Sequence, residues 1–225
     1  MESLSACYQA RVANIHKQVN DFEVWTEFLK DRYEYPIYLS ALKELNYAVF
    51  SLLSGQYHYA YFSLRYSLEQ LLSAVYLSVH EINYRMWKQS QRDVFWSEII
   101  DENNGVFSYI FIKTFTEEFT EEAGSFRGIV AALYRELSEY IHGNPSAICT
   151  LPNRNTFNEK CFDDICTKFE TLSYIVNIAL FIRFKDTLVE KNGLEKLENV
   201  IFDNIGTHSQ VQSFYNQIYL ESEGN

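Results

Sequence analysis

The chain has 225 residues, of which 47% are apolar and 16% aromatic, and a formal net charge of −11. That length can bury a sizeable core. Eight Gly and three Pro are too few to punctuate a many-stranded sheet, and the acidity argues against a surface that is basic all round.

In chain order, residues 3–34 read as one amphipathic helix, with Leu4, Val12, Ile15, Val19, Phe22 and Phe28 at helical spacings. Tyr35-Pro36 should end it, because a residue before proline avoids the helical region. Pro36 then suits the first turn of a second helix running to about Ser54, with Gly55 as the stop. A third helix is predicted from Gln56 to about Glu81. Its main stripe is Ala60, Leu64, Leu68, Leu71, Leu72, Val75 and Val79. Phe62, Tyr66, Ala74 and Leu77 cover the other side, so burial nearly all round is expected. Arg65 and Glu69 lie one turn apart between these sectors. They read either as an intrahelical ion pair or as a pair aimed at a later helix.

Arg85, Lys88 and Arg92 follow at i, i+3, i+7, with Tyr84 and Trp87 between them. Such a face is either solvated or a track for a nucleic-acid backbone; Arg127 is a further candidate for that contact. Asp101–Gly105 (DENNG) is a turn, and Val106–Phe119 is taken as helix. The charge is uneven: residues 93–125 carry −7 and residues 194–225 carry −4, leaving the remainder neutral. Residues 144–157 should be a loop, Asn158–Lys191 a long helix, and Leu194–Asn204 and Ser209–Glu221 two shorter ones before a frayed ESEGN tail.

The four cysteines (Cys7, Cys149, Cys161, Cys166) form no zinc-type pairing, so no structural metal is expected and free thiols in a reducing compartment fit best. No signal pattern opens the chain, and no apolar run reaches the ~18 residues that cross a bilayer. These features point to a soluble, cytoplasmic protein with no membrane partner. Gly-rich phosphate loops, GxSxG elbows, HExxH pairs and dinucleotide fingerprints are all missing from the sequence, so no cofactor is implied.

The stretch on which a function can be built is Ser125–Gly143, SFRGIVAALYRELSEYIHG. At about 100° per residue, Phe126, Ile129, Val130, Leu133, Leu137, Tyr140 and Ile141 fall in one apolar sector. Gly128, Ala131, Arg135, Ser138 and His142 lie opposite. Seven residues separate Arg135 from His142, within roughly 20° of two whole turns and about 10.5 Å along the axis. They share a face, and the small residues beside them leave room for close approach. Gly143-Asn144-Pro145 then stops the helix, which places His142 in its last turn.

Arg135-Glu-Leu-Ser-Glu-Tyr-Ile-His142 resembles the Arg-x4–6-His signature of the HEPN superfamily. LRYSLEQLLSAVYL upstream and LYRELSEYIHGNP also look like bacterial proteins with that core. The resemblance covers about residues 36–190, and Glu136 stands where the family often has Asn, Asp or His. It implies an all-α helical bundle of long helices: a HEPN-like core at 36–190, an N-terminal helix at 1–35 and a C-terminal helical extension at 194–225. It further implies a metal-independent RNA endonuclease of bacterial toxin or antiviral defence systems, acting as a homodimer whose motif helices meet. His142 would then transfer the proton and Arg135 would clamp the phosphate, with Arg65, Glu69 and Ser138 orienting them. RNA and an antitoxin, sensor or other defence-system protein are the implied partners. Two alternatives stand beside this: a non-catalytic helical module that binds a partner protein, and an unrelated scaffold in which Arg135 and His142 bond between helices.

Overall fold

A computed structural model describes residues 6–190 and 193–223, and every regular element among them is helical. The chain runs α1 (Ala6–Phe28), α2 (Tyr35–Leu53), α3 (Tyr57–Leu77), α4 (Glu81–Lys88), α5 (Trp96–Ile99) and α6 (Tyr109–Phe115). A 3₁₀ turn, Glu117–Glu122, leads into α7 (Ala123–Ile141), followed by α8 (Pro145–Ile148), α9 (Glu159–Glu190), α10 (Gly193–Ile205) and α11 (Ser209–Glu223). The all-α bundle expected from the sequence is the observed architecture. Leu4 of the predicted first stripe lies outside the described residues.

The second and third helices form a tight hairpin around Gly55, whose φ of 70° is a conformation glycine adopts freely. Buried Ala41, Ala48 and Ser51 on α2, with Ala60, Ser63 and Ser67 on α3, allow the two backbones to run close together. Across this hairpin lies α9, the central helix, which also packs on α1, α7 and α10. One hydrophobic cluster runs through all of these, from Ile15 on α1 to Tyr215 on α11.

The long α9 is apolar enough in composition to cross a membrane, but 78% of its most apolar stretch is buried against the other helices. Its hydrophobicity is used up by the core. A polar chain is threaded into that core. Trp25 Nε1 donates to Asn177 Oδ1 (2.8 Å), Asn177 Nδ2 to the Ser173 carbonyl (2.8 Å), and Ser173 Oγ to Asn204 Oδ1 (2.8 Å). Asn204 Nδ2 then donates to Asp21 Oδ2 (2.8 Å), so α1, α9 and α10 are joined in one loop of bonds.

Several boundaries differ from the sequence reading. The first helix stops at Phe28, six residues early. Residues 29–34 form successive turns held by the Tyr33 hydroxyl on the Leu77 carbonyl (2.8 Å) and by the Arg32–Glu34 pair. The third helix stops at Leu77, and only its C-terminal half is buried all round: Phe62 and Tyr66 are exposed. The predicted 106–119 helix is broken at Thr116, whose extended backbone lets Oγ1 donate to the Ile182 carbonyl (3.0 Å). The 144–157 loop holds the single turn α8.

The cysteines divide by burial. Cys7 and Cys149 are exposed, Cys161 and Cys166 buried, and all four are free thiols. Burial pushes the Cys166 thiol up to about 12 and raises Cys161 as well. At pH 8, two thiols per chain should therefore react promptly with a disulfide reagent, and the other two only on unfolding. A timed colorimetric thiol count checks this, and four prompt thiols would contradict the packing around α9.

Candidate functional site

On α7, Phe126, Val130, Leu133 and Leu137 are buried, while Ile129 and Tyr140 are partly buried against the same core. The far side is open. Gly124, Gly128, Arg135 and His142 are exposed, and a Cβ added at either glycine would meet nothing within 4 Å. His142 remains in helical register, its amide donating to the Ser138 carbonyl at 3.0 Å. Neither the Arg135 guanidinium nor the His142 imidazole has a polar partner among the described residues. Both are available to a ligand.

Glu136 is the feature that could spoil this face, and it is drawn away from it. It sits about 100° round the helix from Arg135 and bonds Lys168 Nζ of α9 at 2.8 Å. Lys168 also donates to Asp164 Oδ1 (3.1 Å), and Asp164 accepts the Tyr61 hydroxyl (2.7 Å). Burial alone would lower the Lys168 pKa, yet its bonds to Glu136 and Asp164 leave it raised. Lys168→Met keeps the aliphatic stem and removes the charge, so it should destabilise the fold by about 2 kcal/mol in urea unfolding. Glu136→Gln, at the exposed end of the same pair, should cost under about 1 kcal/mol.

Arg65, Glu69 and Ser138 do come together. Arg65 Nε donates to Ser138 Oγ (2.9 Å), its Nη2 bonds the Tyr134 hydroxyl and pairs with Glu69 Oε1 (3.0 Å). Ser138 Oγ donates in turn to the Tyr134 carbonyl (2.6 Å). Both sequence readings of the Arg65–Glu69 pair therefore hold in part: it is intrahelical, and it also grips α7. It holds the helix rather than the side chains of Arg135 or His142.

The candidate nucleic-acid contacts are scattered. Arg85 pairs with Glu81 (2.5 Å) and Arg127 with Glu102 (3.0 Å), while Arg92 pairs with Glu98. Lys88 is exposed at the end of α4. The i, i+3, i+7 face is not continuous, because Ser90 takes a positive φ of 56° and turns the chain before Arg92.

Two participants escaped the sequence reading. His58, exposed on α3, places Nε2 3.1 Å from the Tyr140 carbonyl, so a second imidazole is bonded to the last turn of α7, the helix end that His142 caps. Tyr61 stacks on Tyr140 with ring centroids 3.6 Å apart and 6° between planes, which fixes the last turn of α7. Both contacts span about eighty residues, and no local spacing announces them. Among the described residues, no three His, Cys, Asp or Glu side chains are grouped to hold a metal ion. Compared with protein-family models, curated proteins and solved structures, the chain finds no match.

Proposed function

We propose that this chain is a HEPN-type, metal-independent RNA endonuclease, acting as a toxin or antiviral defence effector. The observation that carries the reading is the open face of α7: Arg135 and His142 exposed together, unpartnered among the described residues, with Glu136 turned away onto Lys168. In the proposed reaction a base removes the proton of a ribose 2′-hydroxyl. O2′ then attacks the neighbouring phosphorus, and the 5′-oxygen leaves with a proton, giving a 2′,3′-cyclic phosphate. An imidazole is the side chain whose ordinary titration suits such proton transfer near neutrality. A guanidinium binds two phosphate oxygens at once and stabilises the charge that builds there. Arg65, Glu69 and Ser138 are positioning residues that hold α7 in place. The bare strip at Gly124 and Gly128 lets a second copy approach, so that one cleft of a two-fold homodimer carries two Arg–His pairs.

A second reading, a non-catalytic helical module within a defence complex, is favoured by the exposed aromatics of the α2–α3 hairpin. Phe50 is 66% and Tyr59 62% exposed, with Tyr47 and Phe62 also open. Incubating the purified chain with single-stranded RNA in excess chelator separates the two readings. The nuclease reading expects fragments ending in cyclic phosphate, with yield unchanged by the chelator. RNA left intact by the dimer, together with loss of partner binding in Phe50→Asp/Phe62→Asp, would select the second.

A further inference from the structure

The segment running from the end of α4 through α5 covers the middle of α3 and encloses a cavity of about 270 Å³. Three aromatic residues line it, Tyr66 from α3 and Trp87 and Trp96 from the covering segment. Trp96 is fixed there by stacking on Tyr134, with centroids 3.9 Å apart. Polar Glu69, Gln70, Ser73 and Asp93 line the cavity too, beside aliphatic Ile37, Leu77, Val94 and Ile99, and no Lys, Arg or His does.

These polar groups are poorly supplied by the protein. Ser73 is only 8% exposed, yet its hydroxyl has no partner among the described residues, and neither the Gln70 amide nor the Asp93 carboxylate has one. The Ser73 hydroxyl keeps contact with the cavity space, so it can bond whatever occupies it. Glu69 is already neutralised by Arg65 at 3.0 Å, so Asp93 leaves the cavity with a net negative charge. Phosphate and carboxylate ligands would be repelled. A purely apolar ligand would leave the serine, the amide and the carboxylate unmatched. What suits three aromatic rings and an unpaired carboxylate at once is a positive charge with N–H donors. The ring faces attract it through their quadrupoles, and the acceptors take its hydrogens.

We propose that this cavity binds a small organic cation, a guanidinium or alkylammonium group on a short aliphatic chain. The site is separate from the Arg135/His142 face and does not rest on the nuclease reading. Agmatine, which carries a guanidinium at one end and an ammonium at the other, is the probe. It would be titrated into the full chain by calorimetry, with tryptophan fluorescence as a second signal, because Trp87 and Trp96 line the cavity while Trp25 is buried elsewhere. Saturable one-to-one binding is expected. Asp93→Asn should weaken it at least tenfold, and Trp87→Leu about fivefold. Asp93 is exposed and unpartnered among the described residues, so the unfolding midpoint of Asp93→Asn should match that of the parent. Trp87 also packs on Tyr84 (5.9 Å), so Trp87→Leu is titrated at a temperature where its far-ultraviolet signal shows it folded. The proposal is overturned if agmatine does not saturate, if both variants bind it as well as the parent, or if neutral guanosine binds as tightly, which would make this a base pocket instead.

Discussion

Replacing His142 by alanine is expected to slow RNA cleavage by about 10²- to 10⁴-fold, the range for a positioned proton-transfer group, while leaving the unfolding midpoint unchanged. The second half of that expectation follows from the structure alone. His142 is exposed, its side chain has no polar partner among the described residues, and its amide bond to Ser138 survives truncation. Arg135→Ala should have an effect of about 10²- to 10³-fold for the same structural reason. Arg135→Lys should recover only part of it, because an ammonium keeps the charge but loses the planar fork. If the two groups act on one phosphate, the double variant should be little worse than the more damaging single one. Full cleavage by His142→Ala would remove His142 as the proton-transfer group, and full cleavage by a variant lacking both His142 and His58 would remove the nuclease site proposed at this helix end.

The largest effect on stability is expected at Trp25. Trp25→Ala should cost about 4 kcal/mol, the usual range for deleting a buried aromatic ring. The indole is 1% exposed, lies edge-on to Phe28 with centroids 6.1 Å apart, and donates to Asn177 in the middle of α9. Trp25→Phe retains most of the packing but leaves the Asn177 carbonyl oxygen without its donor, for about 1–2 kcal/mol. Urea unfolding of the three proteins gives both numbers. A loss below about 1 kcal/mol for the alanine variant would mean that α1 contributes little to the cooperative unit.

The helical class and the face of α7 were legible because both follow from periodicity. Apolar residues at three- and four-residue intervals mark the buried side, and Gly128, Arg135 and His142 fall opposite by simple rotation. Ala131 and Ser138, expected on that same open face, are half-buried, Ser138 against Arg65 of α3. Trp25 was less legible, since its neighbours on the buried side of α1 include Gln18, Asp21 and Thr26, which blur the apolar stripe. Of these, Asp21 is held by Asn204, 183 positions away, and Thr26 bonds the Phe22 carbonyl within its own turn; the Trp25 indole itself is fixed by Asn177, 152 positions on. The role of Glu136 was illegible for the same reason: Lys168 lies 32 residues further on. The break at Thr116 was missed because a tertiary bond to the Ile182 carbonyl holds it, and the one at Ser90 because a serine, not the usual glycine, takes the left-handed position where Ser90 and Gln91 bond back to Trp87 and Met86. The cavity over α3 is closed by an irregular connection, whose path no hydrophobic period describes.

The burial of α9 has a consequence for synthesis. Most of the helices that cover it, α1, α3 and α7 among them, are translated earlier; α10 comes after it. As the chain emerges N-terminal end first, this long apolar stretch meets a waiting apolar bed. Deleting α1 would strip that bed on one side and leave part of the apolar surface of α9 open to self-association.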